Sequence, residues 1–166
     1  PPAWFGMDVW GATICFNTVE AQKRNLPKPE TWKDLTKPVY KGQIVMPNPA
    51  SSGTGYFDVT AWLTLFGDDN GKGGGWKFMD GLHENIAQYM HSGSRPCASA
   101  ANGEYVVGIS FEYRANREKA QGKPIELVFP KEGLGWDLEA IAIYKGTKNQ
   151  AAAQKLMDWA ASDAAM

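Results

Sequence analysis

The sequence lacks most of the features that announce a function class at a glance. No run approaches ~18 consecutive apolar residues, so no helix is expected to span a bilayer. Neither sign of charge is in excess, with 17 Lys and Arg against 18 Asp and Glu and a net charge of −1. That balance excludes a general attraction to nucleic acid or to an anionic membrane. Cysteine is scarce: Cys15 and Cys97 form at most one disulfide, two free thiols are equally compatible, and the compartment stays open. Histidine is limited to His83 and His91. No internal repeat or low-complexity tract is present. The opening Pro1-Pro2-Ala3-Trp4 has no initiator Met, basic region or apolar leader, which reads as an excised piece.

What is present suits one α/β domain of 166 residues, 43% hydrophobic, with seven Trp and 18 Gly. Seven Trp exceed what a minimal core needs, so some are expected at a site or partner surface. Residues 10–19 read as a strand. Thr31 is the expected cap of a turn over Trp32-Lys33-Asp34-Leu35. A strand over 43–46 ends at Pro47-Asn48-Pro49. Val59, Trp62, Leu63 and Phe66 then fall at helical spacing, stopped by Gly67. After a loop over 68–75, Trp76, Met79, Leu82, His83 and Ile86 are expected on one face of a second helix. Pro96 is placed to open a third. Strands are expected over 104–110, 125–129 and 138–144, with helices over 113–121 and 149–161. The last should turn Ala152, Leu156 and Trp159 inward. Strands alternating with helices indicate a layered α/β architecture.

Several motifs fail on their chemistry. His83-Glu84-Asn85-Ile86-Ala87 has Ala87 where a zinc-protease helix needs its second His. Asp68-Asp69-Asn70-Gly71 lacks the ligand spacing of a calcium loop. Gly71-Lys72-Gly73 lacks the rest of a phosphate loop, and Asp58 stands where a dinucleotide fingerprint starting at Gly53 needs Gly. There is no nucleophile elbow. No catalytic or metal residue is assigned, and no cofactor.

One motif survives. Ser51, Ser52, Gly53, Thr54 and Gly55 lie between a strand end and an amphipathic helix. Converging N–H groups, the Ser52 and Thr54 hydroxyls and the helix N-terminus suit a phosphate, phosphonate or carboxylate oxygen. A plain N-cap is the competing reading. Ser94, in Gly93-Ser94-Arg95-Pro96, opens a helix in the same manner. Glu112 follows a strand end, where open α/β sheets place ligand groups. Asp137 and Glu139 are one pleat apart and face one side of a strand, beside Trp136.

Taken in order, these segments resemble the periplasmic substrate-binding proteins of ABC importers. The carriers are Trp32-Lys33-Asp34-Leu35, Tyr40-Lys41-Gly42-Gln43-Ile44, Met46-Pro47-Asn48-Pro49 and Ser51-Ser52-Gly53-Thr54-Gly55. Gly103 to Gly108, Pro130-Lys131-Glu132-Gly133 and Lys145-Gly146-Thr147-Lys148-Asn149 follow in the same order. The class is the ferric-iron and phosphonate group with the type II fold. Phe111-Glu112-Tyr113 stands where ferric members carry adjacent tyrosines, so iron is disfavoured. Gly135-Trp136-Asp137-Leu138-Glu139-Ala140 looks most like the 2-aminoethylphosphonate-binding branch.

The resemblance implies a three-layer α/β lobe, a central mixed sheet with helices on both faces. Residues 1–166 would be the second lobe of a two-lobed protein, with hinge strands near 10–19 and 138–144. Trp4, Trp10 and Trp136 would lie near the hinge and cleft edges. The implied role is a periplasmic or lipid-anchored solute-binding component that passes its ligand to a membrane permease. A phosphonate would sit on Ser52 to Gly55, with Glu112, Asp137 or Glu139 meeting its ammonium end. The alternatives are a ferric-iron or other anion-binding relative, and an enzyme acting on a phosphorylated substrate. The enzyme would need a base, with His91 in reach of Ser52 and a carboxylate behind it.

Overall fold

The computed structural model describes residues 3–165, so Pro1 and Pro2 of the opening lie outside the described residues. The chain divides into two compact units: Gly11–Gly135, and the flanking stretches up to Trp10 and from Trp136 onward.

In the larger unit five strands lie in the order β3-β2-β4-β1-β5. They are β1 (Trp4–Asn17), β2 (Ile44–Pro47), β3 (Ile86–Met90), β4 (Val107–Phe111) and β5 (Ile125–Val128). β2 is parallel to β3 and β4, while β1 runs antiparallel to β4 and β5. The alternation along β1 sets the layers. Ala12, Ile14 and Phe16 face one core, shared with Trp62 and Phe78 of α2 (Gly53–Phe66) and α3 (Gly74–His83). Cys15 faces the other, with Cys97 and Ala100 of α4 (Arg95–Ala101) and Ala115 of α5 (Glu112–Ala120). The sheet is mixed and helices cover both faces, which is the expected three-layer α/β lobe. Cys15 and Cys97 form a disulfide from β1 to α4, settling the pairing that spacing left open.

In the smaller unit, β6 (Trp136–Ala142) pairs with β1, and Gly6 lies against Leu138; α6 (Gln150–Ala160) follows.

Several expectations shift. β1 begins at Trp4 and stops at Asn17, because the Asn17 side chain accepts the Glu20 N–H and caps α1 (Thr18–Arg24), which takes up Val19. The second helix ends at His83, and Ile86 opens β3 instead of lying on the helix. The buried Asn85 causes this by donating to the Leu35 and Lys37 carbonyls, both at 2.8 Å. The buried face of α3 is Gly75, Phe78 and Leu82, while Trp76 is held outside by donating to Asp68. β4 starts at Val107 because Glu104 donates its N–H to Ser99 in the turn after α4. β6 stops at Ala142, and Tyr144 enters an exposed turn closed by Thr147. On α6, Met157 and Ala160 are buried, whereas Leu156 and Trp159 are exposed. Thr31 does accept the Asp34 N–H, at 3.1 Å, over a 3₁₀ turn of Lys33–Thr36.

Gly108 on β4 shows how tightly α4 rides on the sheet. A Cβ there would stand 2.3 Å from the Pro96 carbonyl oxygen and 2.9 Å from the Cys97 nitrogen. These are backbone atoms that cannot rotate aside. Gly108→Ala is therefore expected to destabilise by about 1–3 kcal/mol, seen as a lower midpoint in urea unfolding.

Candidate functional site

β2, β3 and β4 are parallel, so their C-terminal ends share one edge of the sheet, where open α/β sheets gather ligand groups. Pro47 is paired with Met90, and the Asn48 N–H donates to the Met90 carbonyl at 2.7 Å. The loops after β2 and β3 thus leave the sheet side by side. Pro47 ends its strand and Asn48 turns the chain. The Asn48 carbonyl takes the Ser51 and Ser52 N–H groups, and its side chain takes that of Ala50.

α2 then starts at Gly53. Ser52 is its N-cap, the hydroxyl accepting the Gly55 N–H at 3.4 Å and the carbonyl accepting that of Tyr56. Ser52 is therefore the cap of α2, and because its hydroxyl accepts there, its O–H hydrogen is still available to donate. Among the described residues no acceptor meets the Gly53 and Thr54 N–H groups, which belong to the first turn and have no intrahelical partner. Gly55 permits close docking of the helix, since a Cβ there would lie 2.6 Å from the Pro47 carbonyl oxygen.

The loop after β3 closes on this turn. Gly93 lies against Thr54 and Ser52: an added Cβ would stand 2.3 Å from Thr54 Oγ1 and 3.3 Å from Ser52 Oγ. Ser110, buried on β4, donates to the Gly93 carbonyl at 2.7 Å and fixes the loop from below. Ser92 and Ser94 bond to each other through their hydroxyls at 3.1 Å. His91 Nδ1 lies 3.0 Å from Ser51 Oγ. His91 follows β3, and its partner is Ser51, not Ser52.

Of the expected site residues, Ser51, Ser52, Gly53, Thr54, Gly55 and Ser94 thus fall on two adjoining loops. Glu112 begins α5 at the end of β4, and one oxygen of its carboxylate accepts the Gly11 N–H at 2.7 Å. Trp136, Asp137 and Glu139 lie on β6 in the flanking unit. His91, Gly93 and Ser110 complete the arrangement. The Ser92-Gly93-Ser94 composition was the local signal, but their partners lie 17 to 40 positions away.

A shallow pocket elsewhere, between Pro27, Asp34, Lys37 and Tyr40, is a poor anion site. Lys37 is bound to Asp34, and that carboxyl is held well below its usual range despite partial burial, by Lys37 and by backbone N–H groups. Among the described residues no cluster of three or more potential metal ligands occurs, and no helix is long and apolar enough to cross a membrane.

The family model described as bacterial extracellular solute-binding protein matches residues 3–166. A solved structure of the periplasmic binding protein AfuA from Actinobacillus pleuropneumoniae, with exogenous fructose-6-phosphate bound, is 36% identical at a TM-score of 0.90. The similarity covers 98% of this chain and 50% of that one. An uncharacterised protein of Haemophilus influenzae is 38% identical over 134 residues, 81% of this chain and 38% of the relative. The spermidine/putrescine-binding periplasmic protein of Escherichia coli is 28% identical over 159 residues, 91% of this chain and 42% of the relative. The chain spans half or less of each of these proteins.

Proposed function

The chain belongs to the bacterial extracellular solute-binding proteins, and we propose that it is the lobe that grips the phosphoryl head of a small organic anion in an uptake system. One observation carries this reading. The unpaired Gly53 and Thr54 N–H groups, the Thr54 hydroxyl and the Ser51–His91 pair sit on two loops locked together by Gly93. A helix N-terminus adds partial positive charge to the same place. Selectivity then rests on aimed N–H and O–H groups, in keeping with a net charge of only −1.

In this proposal residues 1–166 are the second lobe, and the other lobe completes the cleft by hinge closure near 10–19 and 138–144. The whole protein works outside the cytoplasm, and the Cys15–Cys97 disulfide fits an oxidising compartment. Its partners are the ligand, the other lobe and a membrane permease. The role is capture, not chemistry.

Two tails suit the head. In 2-aminoethylphosphonate the ammonium would meet a carboxylate such as Glu112, which accepts the Gly11 N–H through one oxygen and keeps acceptor capacity on the other. A sugar phosphate is the second reading, favoured by the fructose-6-phosphate held by the 36% identical AfuA.

Calorimetric titration of the full-length protein with fructose-6-phosphate, 2-aminoethylphosphonate, ferric citrate and spermidine tests the reading. A phosphoryl compound is expected to bind and the other two are not. Binding of iron or polyamine with no phosphoryl ligand would overturn it. Thr54→Ala is expected to weaken the bound phosphoryl ligand by about 1–3 kcal/mol in the same titration.

A further inference from the structure

The buried side of α2 carries a group for which the capture site has no use. Asp58 is fully buried, and neither carboxylate oxygen has a hydrogen-bond partner. Trp62, four residues on along the same face, is buried with its indole N–H equally unpartnered. Gly55, one turn before Asp58, is the residue pressed against the Pro47 carbonyl. The stripe Gly55, Asp58, Trp62 is thus the side on which α2 lies against the rest of the lobe. Thr54, whose N–H and hydroxyl belong to the candidate site, is one turn from Asp58.

Among the described residues no charged group is bonded to Asp58. β2 and β4, packed against α2, have no charged residue. Those of α3, namely Lys77, Asp80 and His83, are exposed. Lys33 lies over the Phe66 ring at the far end of α2, and Glu132 accepts the Trp32 and Lys33 N–H groups. None of these is bonded to Asp58.

We propose that Asp58 is carried as an uncharged carboxylic acid, and that losing its proton loosens α2 and with it the Ser51–Gly55 turn, so that capture weakens as pH rises. An unpaired carboxylate in such a place is strongly disfavoured, and the neutral acid is the form burial selects. Burial alone pushes the Asp58 carboxyl well above its ordinary range. Because the folded protein holds this proton more tightly than the unfolded chain, its contribution to stability is fully present below the ordinary carboxylate range. It is lost as pH rises through the raised value. The effect on capture rests on the anion reading above; the effect on stability does not.

Thermal unfolding of the ligand-free, full-length protein and of Asp58→Asn, from about pH 4 to about pH 9, tests the proposal. The variant's melting temperature is expected to gain on the wild type's as pH rises. A difference that stays flat, or that moves the other way, would overturn the proposal. Should Asp58→Asn fail to fold, the carboxyl ¹³C shift of Asp58 in the wild type decides. A signal still at the acid position above about pH 6 supports the neutral acid, and a carboxylate signal there refutes it. Sulfate, doubly charged throughout this range, separates the two readings when titrated into both proteins. The stability difference without sulfate binding upholds Asp58 and counts against the anion site. Sulfate binding with a pH-flat stability difference does the reverse.

Discussion

Replacing Gly93 by valine is expected to abolish phosphoryl-ligand binding while leaving the fold intact. The first added carbon would stand 2.3 Å from Thr54 Oγ1 and 3.0 Å from Thr54 Cβ, so the Thr54 side chain must turn away. The 2.3 Å contact is with a hydroxyl that can rotate aside, while the 3.0 Å contact with Thr54 Cβ requires the helix start to shift by a few tenths of an ångström, a local adjustment. Loss of the Thr54 hydroxyl and displacement of the neighbouring N–H groups remove two or more charge-assisted hydrogen bonds of roughly 1.5–3 kcal/mol each. Affinity should fall at least ~100-fold, read by calorimetry, with a urea midpoint close to that of the wild type. Full affinity in Gly93→Val would show that the two loops do not form one site.

The second large effect concerns the disulfide. Cys15 and Cys97 are 82 positions apart and join β1 to α4 across the smaller of the two cores. Closing a loop of that length lowers unfolded-chain entropy enough to stabilise the fold by about 4–5 kcal/mol on the chain-entropy account. The doubly substituted Cys15→Ser, Cys97→Ser protein should lose stability on that scale, with both serines placed in a fully buried, apolar setting. Denaturant unfolding with and without a reductant measures it. Because α4 follows directly on the His91–Ser94 loop, the same change should also weaken binding. An unchanged unfolding midpoint would contradict this role for the bridge.

The layered fold was legible where local chemistry and packing agree. Pro47 ends β2, Gly67 with φ 92° ends α2, and Trp62 at helical spacing is buried in the core. Boundaries set by distant partners were not legible. Asn85 ends α3 by bonding to carbonyls 48 and 50 positions away. The tryptophans divide in the same way. Trp32 and Trp62 pack edge to face at 5.3 Å inside the core, whereas Trp4, Trp136 and Trp159 are exposed in the flanking unit. Periodicity alone places Trp159 inward, because it cannot tell the Leu156–Trp159 side of α6 from the Met157–Ala160 side that is buried.

The candidate site was half legible. Ser-Gly-Thr-Gly before an amphipathic run marks a helix start with free donors, and the structure keeps two of them unpaired at Gly53 and Thr54. The cap reading of the same motif also holds, since the Ser52 hydroxyl accepts the Gly55 N–H while its O–H hydrogen is left to donate. The pairing of His91 with Ser51, and of Gly93 with Thr54, depends on β2 and β3 being parallel neighbours. The Glu112 bond to Gly11, across 101 positions, is another long-range contact.

The claim that the α2 N-terminus receives the anion is tested most directly by following backbone amide signals of the full-length protein during titration with fructose-6-phosphate. The largest shifts are expected at Gly53, Thr54 and Gly93, saturating together with the heat of binding. Saturable binding that leaves these three amides unmoved and shifts those around Asp34 and Tyr40 instead would contradict it.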